Sequence, residues 1–142
     1  MEDCDEPWSF DENSIDYVHM RYLTGSIKDW YRLLESAFEC ITPGGYVESY
    51  EAAPYYYSDD KSVTDKSALA QWGRFFVEGG KKINRTFTMV PDGLQREAME
   101  KAGFVDIEEK NIRVASHTPP PFNPLELPGA DRSLLGPLRH LA

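Results

Sequence analysis

His19, Met20 and Arg21 lie at the end of a short apolar run and are the side chains best placed for chemistry. The imidazole of His19, with an unperturbed pKa of about 6.5, can take up a proton near neutral pH and act as a general base. Alternatively, His19 is a histidine at a strand end that positions a loop. The guanidinium of Arg21 either orients an acidic substrate or forms a structural ion pair with Asp16 or Asp29.

Other catalytic or metal-binding patterns are missing from the sequence. Cys4 and Cys40 have no His or Cys neighbour at ligand spacing, so no metal site is predicted. The group Asp59, Asp60 and Asp65 lacks the alternating spacing and the distal glutamate of a calcium loop. No Ser-His-Asp arrangement or nucleophile elbow is readable.

A β–α–β unit over residues 14–51 positions the first set of residues. Residues 15–20 form a nearly continuous apolar run, as in a buried parallel strand. A helix follows, with Ser26 as its N-cap, and Pro43-Gly44-Gly45 is predicted to end it and turn the chain into a strand over 46–50. Apolar residues at steps of three and four form the buried stripe of this helix: Ile27, Trp30, Leu34, Phe38 and Ile41.

The following segment predicts further helices and one strand. The three tyrosines at 55–57 belong to a loop and line either an acceptor pocket or an exposed interaction patch. A helix is predicted over 63–83, and a second one from Pro91 to a stop at Gly103, followed by a strand over 104–107. The buried stripe predicted for the first of these helices contains Leu69, Trp72, Phe76 and Ile83.

Four motifs carry a family resemblance over about residues 3–111: DEPWSF, IDYVHMRYLTGSIKDW, ITPGGYVESYE and MEKAGFVDIEE. Together they resemble the fungal LaeA-like S-adenosylmethionine-dependent methyltransferases. The resemblance implies an α/β fold, a partial Rossmann-like class I methyltransferase fold that lacks the first strands, with a mostly parallel sheet flanked by helices. The unit at 14–51 then corresponds to strands four and five. No Gly-rich loop after a strand occurs near the N-terminus.

The same resemblance assigns roles to individual residues. Asp3 and Cys4 match the position after strand three, where a carboxylate accepts from the adenine amino group, and Trp8 follows in the EPW motif. His19, Met20 and Arg21 match the end of strand four, which in that family borders the substrate and the methyl group of the cofactor S-adenosyl-L-methionine; His19 and Met20 are the cofactor-binding candidates among them. His19 and Arg21 are the candidate catalytic residues. For Asp3, the alternative is one charge in a solvated acidic terminus.

The resemblance also predicts the domain organisation and the function. Residues 1–116 are predicted to form the C-terminal part of a methyltransferase domain, and residues 117–142 a Pro-rich divergent tail. The expected activity is methyl transfer to an unknown acceptor, a small molecule or a protein, linked to fungal secondary metabolism. The alternative is a non-catalytic methyltransferase remnant, without activity or acting as an interaction module, in which a protein partner covers the exposed sheet.

Charge and hydropathy restrict the partners and the compartment. The net charge is -9, with 15 basic and 24 acidic side chains, which argues against nucleic acid or an anionic membrane as a partner. No apolar run of about 18 residues is present, and the acidic N-terminus has no signal-peptide pattern. Two distant cysteines predict no disulfide framework, so an intracellular location, cytoplasmic or nuclear, is expected.

Overall fold

The computed structural model of the protein describes residues 3–114. Within this range the elements are, in chain order, strand β1 (Ile15–Arg21), helix α1 (Trp30–Cys40), strand β2 (Ile41–Tyr50), helix α2 (Ala68–Lys82) and helix α3 (Leu94–Ala102). They belong to one compact unit that ends at Glu109. The two strands pair in parallel, so the predicted partial α/β fold is confirmed. The predicted tail at 117–142 and its boundary lie outside the described residues.

The sheet has one packed face and one open face. Met20 on β1 is only 5% exposed and belongs to the core, against which Val18 and Val47 also pack. The remaining core residues come from α1, α3 and the loops beside them: Ile27, Trp30, Leu33, Leu34, Met89 and Ala98. Alternate residues of the strands form the other side, here called the open face: Tyr17, His19, Arg21, Tyr46, Glu48 and Tyr50. All six of these are solvent-exposed.

Helix α1 begins later than the sequence predicts. Asp29, not Ser26, is the N-cap, because its carboxylate accepts the backbone N–H groups of Tyr31 at 3.0 Å and Arg32 at 3.1 Å. The predicted buried stripe is largely confirmed, since Ile27, Trp30, Leu34 and Ile41 are all buried. Leu33, Leu34 and Ala37 lie in the core together with Trp30, whereas the predicted stripe residue Phe38 is 43% exposed.

Pro43-Gly44-Gly45 is not a turn between α1 and a later strand, as predicted, but part of β2. The helix ends at Cys40 and the strand begins at once with Ile41. Ile41 lies opposite Ile15, and the next pair is Tyr46 with Tyr17, so the residues between them bulge out of the register. The positive φ of 86° at Gly44 permits this bulge.

Helix α2 contradicts its predicted burial. It begins at Ala68, after the N-cap Ser67, instead of at Val63. Its predicted buried residues are largely exposed, Leu69 at 46%, Trp72 at 56% and Ile83 at 64%. The buried residues of the helix are instead Gly73 and Gly80. A Cβ atom at Gly73 would lie 2.3 Å from the carbonyl oxygen of Pro54, so the helix packs closely through a position without a side chain.

Helix α3 ends at Ala102, and the predicted stop residue Gly103 follows it in the left-handed conformation with φ 108°. The backbone N–H groups of Gly103 and Phe104 both donate to the carbonyl oxygen of Met99. The strand predicted over 104–107 is absent, since the segment is irregular and Asp106 has a φ of 54°. Phe104 is used for packing instead, with its ring edge-to-face against Phe38 at 5.1 Å. A strand needs a partner edge, and the described sheet holds only β1 and β2.

Candidate functional site

The carboxyl ends of β1 and β2 meet at one edge of the sheet, here called the carboxyl edge (residues 21–24 and 50–51). The backbone N–H of Tyr22 donates to the carbonyl of Tyr50 at 3.0 Å, and the two rings pack edge-to-face at 5.5 Å. Tyr22 has a φ of 52°, which is costly for a bulky aromatic residue and is typical of functional sites. Ligands of open parallel sheets bind at this kind of edge.

Arg21 lies at the carboxyl edge with its guanidinium over two aromatic rings. The distance from its central carbon to the ring centroid is 5.1 Å for Tyr22 and 5.5 Å for Tyr50. Both predicted ion-pair partners have other contacts, since Asp16 accepts from the hydroxyl of Thr42 and Asp29 caps α1. Among residues 3–114, Arg21 forms no ion pair with either of these carboxylates. The ion-pair interpretation is therefore wrong, and the guanidinium stays exposed for an anionic group.

Glu51 fixes the loop that follows β1. Its carboxylate accepts the backbone N–H of Leu23 at 2.7 Å and the backbone N–H of Thr24 at 2.9 Å. It also accepts the hydroxyl of Thr24 at 2.6 Å. Three donors on one carboxylate connect the end of β2 to the start of the loop, so the carboxyl edge is rigid on this side.

A cluster of Tyr17, His19 and Glu48 occupies the open face. Glu48 Oε2 lies 2.9 Å from His19 Nδ1 and accepts a hydrogen bond from the Tyr17 hydroxyl. The hydrogen bond from Tyr17, followed by that from His19, lowers the pKa of the Glu48 carboxyl below its ordinary value. The same bond raises the pKa of the Tyr17 hydroxyl. Glu48 is therefore a carboxylate and Tyr17 a neutral donor over the neutral pH range.

The contact with Glu48 orients the imidazole of His19. With Nδ1 on a carboxylate, Nε2 is the nitrogen left to receive a proton, as in the histidines that act as general bases. The histidine also lies on the open face, two residues before the end of β1. Its geometry suits both a base and a structural role, so its catalytic role stays a prediction.

The N-terminal segment forms a turn over residues 3–6. Asp3 accepts the backbone N–H of Asp5 at 3.0 Å, and its side chain is exposed. The thiol of Cys4 is free, and partial burial together with the charges of Asp5 and Asp3 raises its pKa. A raised pKa favours the protonated thiol at neutral pH, which is the less nucleophilic form.

Asp5 anchors this turn to the loop that leads from the carboxyl edge into α1. Its carboxylate accepts the backbone N–H of Lys28 at 2.9 Å and lies 3.8 Å from the guanidinium of Arg85. The side chain of Asp5 is only 9% exposed, unlike that of Asp3. The predicted cofactor residues Asp3 and Cys4 are thus held beside the loop that follows β1, through a neighbour that the motif match did not single out.

Trp8 and Met20 have packing roles in the structure. Trp8 packs against the core and lies edge-to-face to Phe10 at 6.0 Å. The side chain of Met20 is inside the core, so only its backbone is open to a ligand at the strand end. Of the residues predicted to hold the cofactor, Asp3, Cys4 and His19 keep exposed side chains.

Some residues of this region were missed by sequence reasoning. Glu51 and Glu48 carry no local signal, because their partners lie more than twenty residues away in the chain, at Thr24 and His19. Tyr22 is a bulky residue, for which no local rule predicts a positive φ. For Asp5, the signal was available, because a carboxylate in the N-terminal acidic run is as good a candidate anchor as Asp3.

Metal and membrane features can be reported for the described range. Within residues 3–114, no group of three His, Cys, Asp or Glu side chains is arranged to hold a metal ion. None of the helices in that range is long and apolar enough to cross a bilayer.

Comparison with known proteins identifies similar sequences. A family model described as Methyltransferase domain matches residues 2–109. The chain is 37% identical to the probable methyltransferase tdiE of Emericella nidulans over 105 aligned residues. The aligned region covers 73% of this chain and 32% of that protein. It is 30% identical to the methyltransferase pytC of Aspergillus terreus over 114 aligned residues, and this aligned region covers 80% of this chain and 34% of that protein.

A regulator is also among the similar proteins. The secondary metabolism regulator LAE1 of Gibberella fujikuroi is 33% identical to this chain over 115 aligned residues. The aligned region covers 78% of this chain and 36% of that protein. The chain thus spans about a third of the length of these curated relatives. No solved structure matches it significantly. The resemblance to LaeA-like proteins that the motifs predict is confirmed.

Proposed function

The chain belongs to the methyltransferase-domain family, and from this premise we propose that it takes part in S-adenosylmethionine-dependent methyl transfer. The observation that supports this most is that the turn of Asp3 and Cys4 is held, through Asp5 and Lys28, to the loop that leads out of the carboxyl edge. Ligands of parallel α/β sheets bind at such edges. The named relatives make a link to fungal secondary metabolism part of the proposal.

The residues present fit the cofactor in part. Asp3 uses one oxygen for the N–H of Asp5, and its exposed carboxylate can accept the adenine amino group with the other. The Cys4 thiol is exposed beside it. The side chain of Met20 does not fit the role predicted for it, because it lies in the core. Trp8 packs against the core but is partly exposed, so its contact with the cofactor stays a prediction. Asp3 and Cys4 would therefore hold the adenine, with the backbone of Met20 at the strand end.

The chemistry of the proposed reaction requires alignment and the removal of one proton. S-adenosylmethionine, when bound, supplies an electrophilic methyl group whose carbon–sulfur bond breaks with both electrons leaving on sulfur. His19 would accept the acceptor's proton at Nε2, because Glu48 holds Nδ1. Arg21 would orient an acidic acceptor, since its guanidinium is exposed and lies against Tyr22 and Tyr50. Alignment of the nucleophile with the methyl carbon supplies much of the rate.

Calorimetric titration with S-adenosylmethionine tests the proposal directly. We expect saturable heat at micromolar cofactor, and weaker binding for Asp3→Asn. The matched control is Asp11→Asn, which removes a charge from the same acidic segment and should bind like the unmodified chain. An absence of both heat and thermal shift at millimolar cofactor would overturn the proposed activity for this chain.

The open face favours a second candidate function, that of a non-catalytic interaction module. Parallel sheets are normally covered on both faces, yet Tyr17 is 53% and Tyr46 69% exposed. Within residues 3–114, β1 pairs with β2 alone, so its other edge is free. A protein partner laid on this face would bury both tyrosines. Light scattering of the purified chain tests for self-association, which Tyr46→Lys should weaken; a monomer at millimolar concentration would exclude a second copy as that partner.

A further inference from the structure

A cavity of about 430 Å³ opens between the start of α1, the end of α2 and the segment 84–88. It adjoins the loop that leads out of the carboxyl edge, because Lys28 and Trp30 contribute to its wall. Its volume lies within the range of about 300–1,000 Å³ that is usual for small-molecule sites. The cavity is wide at its mouth, so a ligand can enter without rearrangement of the backbone.

The charge of this cavity is opposite to that of the chain. Three basic side chains line it, from Lys28, Lys81 and Arg85, against the single carboxylate of Asp29. That carboxylate is already used to cap α1. The chain as a whole carries a net charge of -9. Among the side chains of the wall itself, cations outnumber carboxylates by three to one, which favours an anionic ligand over a cationic one at this place.

The basic residues differ in how firmly they are held. Arg85 is 22% exposed and is oriented by the carboxylate of Asp5 at 3.8 Å. Lys81 pairs with Glu78 at 2.8 Å in an exposed contact, which contributes little to stability and can be exchanged for a ligand. The ammonium of Lys28 forms no ion pair among residues 3–114. The cavity wall therefore offers three charged donors, two on exposed lysine side chains and one on an arginine that pairs with Asp5.

The rest of the wall is apolar or donates hydrogen bonds. Val77, Phe87 and Leu94 supply apolar surface. The indole of Trp30 is also in the wall, and its buried N–H has no acceptor in the described part of the chain. Buried donors without a partner are rare and call for an explanation. An apolar wall beside three cations matches a ligand that joins an oxyanion to an apolar body.

From these observations we infer that the cavity binds a small organic acid, with its oxyanion between Lys28, Lys81 and Arg85 and its apolar body against Phe87. His19 and Arg21, which the proposed function places at the methyl acceptor, are not part of the cavity wall, so the acid is a ligand other than the acceptor. The chemistry recognised is an oxyanion, which a carboxylate or a phosphate monoester can supply.

Nuclear magnetic resonance of the isotope-labelled chain tests this inference through the indole N–H signal of Trp30. The signal is assigned by its loss in Trp30→Phe. Benzoate and phenyl phosphate serve as the two acidic probes and benzyl alcohol as the neutral one. We expect a saturable shift with at least one acid, the stronger of the two identifying the oxyanion, and none with the alcohol. A shift with neither acid, or an equal shift with benzyl alcohol, would overturn the inference.

Charge variants provide a second measurement that does not disturb the core. Lys28→Gln and Lys81→Gln should each weaken binding of the acid by about tenfold, because each removes a charged donor. Lys82→Gln, at the neighbouring helical position but outside the cavity wall, should change affinity by less than about twofold. Unchanged affinity in both cavity variants would show that the acid binds elsewhere.

The titrations also separate this inference from the proposed activity, because the acid is added without cofactor. If S-adenosylmethionine binds and no acid does, the cavity assignment fails and the methyl-transfer proposal stands. If the acid binds and S-adenosylmethionine does not, the acid site stands and the methyl-transfer proposal fails.

Discussion

Glu51 holds Thr24 by both of its donors, the backbone N–H at 2.9 Å and the hydroxyl at 2.6 Å from the same carboxylate oxygen. The other oxygen accepts the N–H of Leu23 at 2.7 Å. A charge-assisted contact of this kind replaces the ladder hydrogen bonds that end with β1. It fixes the start of the loop that leads from the carboxyl edge to the cavity wall at Lys28, so the two proposed sites lie at the two ends of one loop.

Removal of this carboxylate should destabilise the fold. Glu51→Ala leaves two partly buried backbone donors without acceptors, and we expect a loss of about 2 kcal/mol in the free energy of unfolding. Urea denaturation followed by circular dichroism measures it. Glu35→Ala, an exposed carboxylate on α1, is the control and should change stability by less than about 0.5 kcal/mol. Equal effects of the two variants would show that the contact carries no stability.

The second prediction concerns Gly25, which lies in the same loop against the ring of Phe87. A Cβ atom at Gly25 would lie 2.1 Å from that ring, and Gly25 has a φ of 79°. Gly44 has a similar φ of 86°, but a Cβ atom there would meet nothing within 4 Å. We expect Gly44→Ala to cost about 1 kcal/mol from backbone strain alone. Gly25→Ala should cost about 1–3 kcal/mol more, because the methyl group displaces Phe87.

Thermal unfolding of the two glycine variants measures that difference. It is informative because the backbone strain is matched and cancels between them. If Gly25→Ala and Gly44→Ala lower the stability equally, the close packing of Phe87 on Gly25 is contradicted.

Two tryptophans on different helices give the third prediction. Trp30 is 2% exposed and lies in the core, whereas Trp72 is 56% exposed on α2. Trp30→Ala should cost about 3–5 kcal/mol, since it leaves a large cavity between α1 and its neighbours. Trp72→Ala should cost less than about 1 kcal/mol. Chemical denaturation measures both values, and a cost below about 1 kcal/mol for Trp30→Ala would contradict its burial.

The same two residues show what the sequence could predict. Periodicity correctly placed Trp30 in the core, because α1 connects two strands of one sheet and must pack on it. For α2, periodicity predicted a buried face with Trp72, but a period of 3.6 reports only that apolar residues share a side. The surface that would cover Trp72 is not formed by the described residues, and the helix instead packs through Gly73 and Gly80.

In and around the candidate site, too, some features follow from local sequence rules and others do not. Gly103 was predictable as a helix stop, since a local rule of backbone conformation decides it. Asp29 was missed as the N-cap because Ser26 satisfies the same local rule three residues earlier. The hydrogen bonds that Glu51 accepts, and the pairing of His19 with Glu48, depend on the register of two strands. The bulge at Gly44 sets that register, and nothing local fixes how many residues it takes up.

The acidity of Glu48 provides the last prediction. The hydrogen bond from Tyr17 is the main cause that lowers its pKa below the ordinary value of 4.5, and His19 is the second. Because the pKa is lower in the folded than in the unfolded protein, the stability gained from this carboxylate is present above about pH 4.5 and is lost as the pH falls below it. Tyr17→Phe should therefore raise the pKa of Glu48 towards 4.5 and reduce the loss of stability in acid. Tyr46→Phe, which removes a hydroxyl from the same open face, should leave this pKa unchanged. Titration of the Glu48 carboxyl carbon by nuclear magnetic resonance measures both variants, and identical titration curves for them would rule out the hydrogen bond from Tyr17 as the cause.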